Sequence, residues 1–201
     1  MPDGERVVVN VGCGPLNGGS LPVFFDDWRR LRVDVDISVK PDIVADLTDL
    51  SPIADGSVHA VWASHCIEHL YEYQVPTALK EFRRVLRDDG FVCILVPDLQ
   101  VVASYVAADR LHETLYESAA GPVTPHDILF GFGAAIANGR PSMAHRCGFT
   151  PSMLMSVFKE LPFGEVVLRR RTAQLELVAV ARVTATPDNE DRQSLIDALG
   201  L

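Results

Sequence analysis

Near its amino terminus the chain reads Arg6-Val7-Val8-Val9-Asn10-Val11-Gly12-Cys13-Gly14-Pro15, a run of β-branched residues that breaks directly into a glycine turn. A valine run with almost no polar alternation predicts a strand buried on both faces, as in the centre of a parallel sheet. The two glycines let the backbone turn sharply and leave it open to a ligand. Because ligands of open α/β sheets bind beyond the carboxyl ends of central strands, we expect a cofactor site here.

The residues after the turn bear on which cofactor it holds. A dinucleotide fingerprint requires Gly-x-Gly-x-x-Gly or Ala, since the third small residue lets the helix pack closely on the strand. The sixth position is Asn17, and the chain has no Tyr-x-x-x-Lys pair. Both features disfavour an NAD(P)-dependent oxidoreductase. On its own, the Gly-x-Gly turn fits a purely structural turn equally well.

A pair of carboxylates follows the turn. Residues 31–37 alternate apolar and polar side chains, which predicts a second strand after a short helix within residues 21–30. Asp34 follows Gly14 by about 20 residues, where a carboxylate can accept hydrogen bonds from both hydroxyls of a ribose. Asp36 would point to the same side of the strand, so the register stays open; we favour Asp34. Two solvated edge carboxylates are the alternative.

Further strands and a helix continue the α/β pattern. Residues 41–47 predict a short third strand that ends at Asp46, and residues 58–64 predict a fourth. Residues 76–90 carry apolar side chains on one helical face and end in a glycine. Residues 91–97 predict a fifth strand.

Taken together, the blocks between residues 5 and about 100 resemble the core of the class I S-adenosylmethionine (SAM) methyltransferases, type 11 in particular. The glycine turn matches the first motif of that family, but Asn10 stands where an acidic residue is usual and Leu16 where a third glycine is frequent. The most specific match covers residues 55–70, which end in Glu68-His69-Leu70.

The resemblance implies a Rossmann-like α/β fold, with a seven-stranded sheet that is mostly parallel, an antiparallel C-terminal strand and helices on both faces. It also implies SAM as cofactor and S-adenosylhomocysteine (SAH) as product. The two glycines of the turn would pass under the methionyl part, Asp34 would hold the ribose, and Asp46 with Leu47 the adenine. The expected cofactor-binding residues are Asn10, Gly12, Cys13, Gly14, Asp34, Asp36, Asp46, Leu47, Ser64 and His65.

The chain departs from the family pattern over residues 98–149, which we interpret as an insertion that forms a lid and binds the acceptor. Residues 99–111 have the periodicity of a helix, and residues 122–141 are rich in Gly, Pro and aromatic side chains, as in a cover over a pocket. A helix over residues 152–161 and a strand pair over 163–183 then complete the predicted fold.

Composition limits the class of protein. A chain of 201 residues with 48% hydrophobic residues predicts one globular domain over 1–201. No apolar run approaches the roughly 18 residues that span a bilayer, and no apolar leader is visible. The four cysteines form no Cys-x-x-Cys pair, which argues against a zinc knuckle or a disulfide framework and fits a reducing cytoplasm. We therefore expect a cytoplasmic protein with no metal site, and the lack of a long apolar run predicts no membrane contact. The net charge of −9 disfavours nucleic acid.

Methyl transfer to a hydroxyl requires a base, which near neutral pH is most often histidine. His65, at the carboxyl end of the fourth strand, is the first candidate and His145 the second. Arg146 fits a carboxylate or phosphate on a small-molecule acceptor, and His69 is a further acceptor-binding candidate. A capping or packing role fits Glu68 and His69 equally well.

Two functions from different classes therefore remain. The first is a SAM-dependent methyltransferase that transfers a methyl group to a small molecule by in-line displacement. The second is a catalytically inactive binding or scaffold protein with the same fold, which Asn10 and Leu16 favour slightly. Intact Asp34, Asp46 and both glycines favour catalysis. A homodimer is left open.

Overall fold

The computed structural model describes residues 4–16, 21–118, 121–186, 192 and 194–201; the predicted loop over 17–20, including Asn17, lies outside them. The strands of this part are β1 Val7–Val11, β2 Arg29–Asp34, β3 Ile43–Val44, β4 Val58–Ser64, β5 Leu86–Pro97, β6 Tyr116–Ser118, β7 Gly121–Val123, β8 Glu165–Arg171 and β9 Glu176–Arg182. The α-helices are α1 Val75–Val85, α2 Leu99–Ala107, α3 Pro125–Phe130, α4 Gly133–Ala137, α5 Pro151–Ser156 and α6 Ser194–Ala198. Short 3-10 turns cover Val23–Phe25, Ile37–Val39, Ile67–His69, Glu72–Gln74 and Pro141–Met143.

The main sheet has seven strands in the order β3-β2-β1-β4-β5-β9-β8. Strands β1 to β5 run parallel, and β9 is antiparallel to both of its neighbours. The strand order changes direction beside β1, where the ends of β1, β2 and β4 border a crevice of the kind that binds ligands. The predicted Rossmann-like α/β fold with its antiparallel C-terminal strand is confirmed.

Both faces of the sheet are covered, which explains the valine run of β1. Val9 packs into a core that includes Leu79 and Phe82 of α1, while Val8 packs on the other face with Phe25 and with Ile196 of α6. These side chains are almost fully buried. Within the described residues, no helix has both the length and the apolar character needed to cross a bilayer.

The helix predicted within residues 21–30 is reduced to a 3-10 turn, Val23–Phe25, because β2 already begins at Arg29. Aromatic packing rather than helical hydrogen bonding organises this segment: the Phe25 ring meets that of Trp28 edge-on, with centroids 5.2 Å apart. The second strand also ends at Asp34 rather than continuing to residue 37.

Helices later in the chain are shorter than their periodicity predicts. Helix α2 ends at Ala107, before Asp109 takes up a positive φ of 56°, a conformation that a continuing helix cannot accommodate. Helix α5 ends at Ser156. At α1, Leu86 turns to extended backbone and pairs with Val58, so the strand begins before the predicted glycine stop.

The segment over residues 98–149, called the lid segment after its predicted role, packs around a small core of its own, in which Val102, Val123 and Ile128 are buried. It joins the sheet at Asp98, which caps α2 by accepting a hydrogen bond from Gln100 N at 3.0 Å. The fully buried Asp98 also forms an ion pair with Arg170 at 2.6 Å. The segment is thereby fixed to the end of β5, although its role as a lid stays a prediction.

Candidate active site

A cavity of about 400 Å³ lies at the carboxyl ends of β1, β2 and β4. It brings together most of the residues that the sequence singled out for the cofactor, namely Gly12, Cys13, Gly14, Asp34, Asp46, Leu47, Ser64 and His65. The two predicted acceptor-binding residues, His69 and Arg146, line it as well.

Three predicted residues do not line this cavity. Asn10 is half-buried within β1, between Arg32 of β2 and Trp62 of β4. Asp36 lies beyond the end of β2 and caps the following turn by accepting a hydrogen bond from Ser38 N at 2.8 Å. His145 directs Nδ1 to Ile128 O at 2.7 Å, and its ring contacts that of His69.

The glycine turn is held by backbone geometry that favours glycine. Gly12 and Gly14 both have φ of 59°, in the left-handed region where a side chain is disfavoured. A Cβ added to Gly12 would lie 2.5 Å from Cys66 Cβ, whereas one added to Gly14 would meet nothing within 4 Å. The first glycine is therefore required by close packing, and the second leaves space for a ligand.

Asp34 is oriented by the turn that it faces. Its Oδ2 accepts from Gly14 N at 2.9 Å, and its Oδ1 accepts from Asp36 N at 2.9 Å. Arg32 holds the other side of the turn by donating from Nη2 to Gly14 O at 2.6 Å. Because each carboxylate oxygen has a second lone pair, Asp34 keeps acceptor capacity toward the cavity.

Asp46, a second carboxylate of the cavity wall, is oriented in the same way. Its Oδ1 accepts hydrogen bonds from Thr48 N at 2.8 Å and from Thr48 Oγ1 at 2.6 Å. Oδ2 accepts no hydrogen bond from the residues that the structure describes, and Ala45 and Leu47 line the cavity beside Asp46. This arrangement offers an acceptor beside an apolar surface, as a purine amino group would require.

His65 follows β4 and has a backbone φ of 50°, which is uncommon for a residue other than glycine. Its backbone N donates to Leu95 O at 2.9 Å. Its Nε2 lies 2.9 Å from Glu176 Oε2, and its Nδ1 lies 3.5 Å from Glu68 Oε1. Both carboxylates are buried, at 7% and 1% exposed.

The charge state of His65 follows from these neighbours. Burial alone would lower its pKa, but the contacts with Glu176 and Glu68 outweigh burial and raise the pKa to about 10. Arg171 Nη1 also pairs with Glu176 Oε1 at 2.6 Å. Two cations thus balance two buried carboxylates beside the cavity, and His65 is an imidazolium at neutral pH.

The cavity wall also includes His69, Arg146 and three residues that the sequence did not single out, Arg140, Ser142 and Met143. The Arg146 guanidinium lies over the Tyr71 ring, 4.9 Å from its centroid, which holds this cation at the cavity edge. Because residues 140–146 show no helical or strand periodicity, no pattern in the sequence could have assigned Arg140, Ser142 and Met143.

Glu176 is the most important residue that sequence reasoning missed. It lies at the first position of β9, and the strand that follows is fully apolar from Leu177 to Ala181. A lone carboxylate at the start of such a strand was the available signal, because a buried charge requires a partner. The partner, His65, is too distant in sequence to be recognised.

Comparison with known proteins bears on the same region. Residues 9–94 match the family model described as a methyltransferase domain, type 11. No protein of curated function matches the sequence.

Several solved structures share the fold. A SAM-dependent methyltransferase from Archaeoglobus fulgidus is 14% identical, with a TM-score of 0.53, over 89% of this chain and 86% of that one. A protein from Pyrococcus horikoshii OT3 is 14% identical, with a TM-score of 0.60, over 89% and 82%. A SAM-dependent methyltransferase from Methanosarcina mazei is 12% identical, with a TM-score of 0.58, over 90% and 94%.

Proposed function

We propose that this chain, whose residues 9–94 match a methyltransferase domain, is a class I SAM-dependent methyltransferase that transfers the methyl group of SAM to a small-molecule acceptor. The observation that carries the proposal is the cavity at the ends of β1, β2 and β4, which combines the open glycine turn with two oriented carboxylates. This cavity also lies largely within the matched residues.

Different residues of the cavity would bind different parts of SAM. The Gly12–Gly14 turn would receive the methionyl part, and Asp34 would accept hydrogen bonds from the ribose with its spare lone pairs. Asp46 and Leu47 would hold the adenine. When bound, SAM supplies a methyl group already activated by its sulfonium, so the protein contributes position and environment.

The acceptor would enter from the lid side, where Arg146 presents a cation suited to a carboxylate or phosphate group. His65 and His145 both stay candidates for its base, but His65 is paired with two carboxylates and His145 does not line the cavity. Both ring nitrogens of His65 face carboxylates, which leaves no free lone pair. His145 instead directs Nδ1 to Ile128 O at 2.7 Å, so Nδ1 carries the proton and Nε2 has a lone pair.

The alternative function is an inactive binding or scaffold protein with this fold. It is favoured by Asn10, which has no charge to pair with an amino group and lies outside the cavity wall. SAH binding without transfer to any class of acceptor would support this alternative.

Isothermal titration with SAH tests the cofactor site, and it also tests whether Asp34 or Asp36 binds the ribose. We expect the parent protein to bind SAH and Asp34→Ala to bind at least about tenfold more weakly, a change of roughly 1.4 kcal/mol. Asp36→Ala is the matched control, because Asp36 lies on the same loop but outside the cavity; we expect near-parental affinity.

Circular dichroism should show that both variants remain folded. If Asp36→Ala rather than Asp34→Ala loses binding, the ribose carboxylate is misassigned. If the parent does not bind SAH, the scaffold function replaces the enzymatic one.

We also propose the cytoplasm as the compartment. All four cysteines are free thiols, and reduced thiols are typical of proteins in reducing compartments. Whether the chain acts as a homodimer stays open.

A further inference from the structure

Three side chains of metal-binding type meet at the lid-side edge of the cavity. One carboxylate oxygen of Glu68 and one ring nitrogen each of His69 and His145 lie within 4.8 Å of one another. The two imidazole rings meet edge to face, with centroids 4.9 Å apart. Two of these residues are adjacent in the sequence, and the third comes from the far end of the lid segment.

Both histidines are held in the tautomer that a metal ligand requires. Nδ1 of His69 lies 3.2 Å from Ala144 O, and Nδ1 of His145 lies 2.7 Å from Ile128 O. A backbone carbonyl can only accept a hydrogen bond, so each Nδ1 carries a proton, and in the neutral imidazole that binds metals Nε2 then has the lone pair. Donation of the second ring nitrogen to a carbonyl is the usual support of a metal-bound histidine.

Glu68 supplies the independent sign of a missing ligand. Its side chain is 1% exposed, and neither carboxylate oxygen accepts a hydrogen bond from the described residues. The nearest cation, His65 Nδ1, is 3.5 Å from Oε1; this ion pair offsets the charge of Glu68 but leaves both of its oxygens without a hydrogen bond. A buried carboxylate without hydrogen bonds is costly unless another group compensates it.

The backbone holds the three residues in place. Glu68 O accepts from Arg146 N at 2.9 Å and from Cys147 N at 3.2 Å. These bonds fasten the segment that carries His145 directly to the turn that carries Glu68 and His69. The cluster is therefore built into the fold and does not depend on flexible surface side chains.

From this geometry we propose that Glu68, His69 and His145 bind one divalent transition-metal ion, with zinc the first candidate. Two neutral imidazoles and one carboxylate are a donor set that zinc uses where it keeps an open coordination position. The same set also binds iron(II) and neighbouring ions. Small side-chain rotations would bring the three donor atoms to bonding distance.

The ion would lie at the edge of the cavity, because His69 forms part of its wall. An open position there would take an oxygen atom and lower the pKa of a hydroxyl group bound to it. This second statement rests on the proposed function, whereas metal binding does not. With the ion present, His145 is a ligand and cannot act as the base.

The test uses full-length protein freed of metal with a chelator. Titration with Co²⁺, followed by visible absorption, and with Zn²⁺, followed calorimetrically, should give one ion per chain. His69→Ala and His145→Ala should each weaken binding at least tenfold and change the cobalt spectrum. Glu68→Gln, which keeps the size of the side chain, should do the same.

The matched control is His112→Ala. His112 stacks on His126 with centroids 5.3 Å apart, in another part of the lid, and its loss should leave the stoichiometry and spectrum unchanged. Circular dichroism of each metal-free variant separates loss of a ligand from loss of the fold.

The proposal is overturned if the folded parent binds no ion, or if only His112→Ala abolishes binding. SAH titration of the metal-free protein separates the two proposals. SAH binding without metal binding would leave the proposed function standing and remove only the metal site.

Discussion

Gly12 belongs to the glycine turn at the cavity and also packs closely against Cys66. Replacement by alanine adds a methyl group 2.5 Å from Cys66 Cβ and keeps an unfavourable φ of 59°. The matched control is Gly56→Ala, with a similar φ of 57° but nothing within 4 Å. We expect Gly56→Ala to lower the free energy of unfolding by about 1 kcal/mol and Gly12→Ala by roughly 1–3 kcal/mol more.

Urea unfolding of both variants measures this difference. Equal losses would show that Cys66 moves aside without cost, and Gly12 would then be required only for its backbone conformation.

At the same scale, the sequence predicted those cavity residues whose position depends on the local backbone. Gly12, Gly14 and Asp34 follow from a strand, its end and the distance to the next strand. It could not decide between Asp34 and Asp36 by alternation alone. The structure separates these two because the strand ends at Asp34, so strict alternation does not extend to Asp36.

At the scale of elements, His59 ties β4 to the start of β1. Its Nδ1 accepts a hydrogen bond from Val7 N at 3.2 Å, and its pKa is lowered from 6.5, chiefly by burial and also by the charge of Arg87. Protonation removes the acceptor, so the folded state resists it. Stability is therefore full above about pH 6.5 and falls as the pH drops toward the lowered pKa of the folded state.

The variant His59→Asn keeps an acceptor that does not titrate. We expect the parent to lose about 1 kcal/mol more than this variant between pH 7.5 and pH 5, measured as the free energy of unfolding in urea at each pH. Identical losses would show that another group controls the acid sensitivity.

The accuracy of the element predictions has a physical pattern. Strand β4 was predicted to the residue because burial on both faces leaves a continuous apolar run between polar turns. The prediction of a helix before β2 was wrong because the aromatic residues there pack on one another instead of forming a helical face. The two-stranded sheet of β6 and β7 gave no alternation long enough to recognise, since each strand has only three residues.

At the scale of the whole molecule, the lid segment contributes a wall to the cavity that the N-terminal half builds. Arg140, Ser142, Met143 and Arg146 all line it. We expect SAH to slow amide hydrogen exchange over residues 140–146 as well as at the glycine turn, because binding lowers the population of opened states.

Hydrogen-exchange mass spectrometry with and without SAH measures this protection. Helix α6 is the internal control, because it packs with Val8 on the face of the sheet opposite α1 and none of its residues lines the cavity. Protection confined to residues 12–15 and 34–47 would show that the segment covers only the acceptor.

The order of the last strands has a consequence for how the protein is made. Strand β8 leaves the ribosome before β9 but joins the sheet only through β9, which pairs with both β5 and β8. Glu176, the partner of His65 across 111 positions of chain, arrives with β9. A nascent chain can therefore contain the glycine turn and both cavity carboxylates while the edge of its sheet at β5 is still unpaired. At that stage His65 lacks its second carboxylate. The site is complete only when the hairpin of β8 and β9 docks on β5, during or after translation.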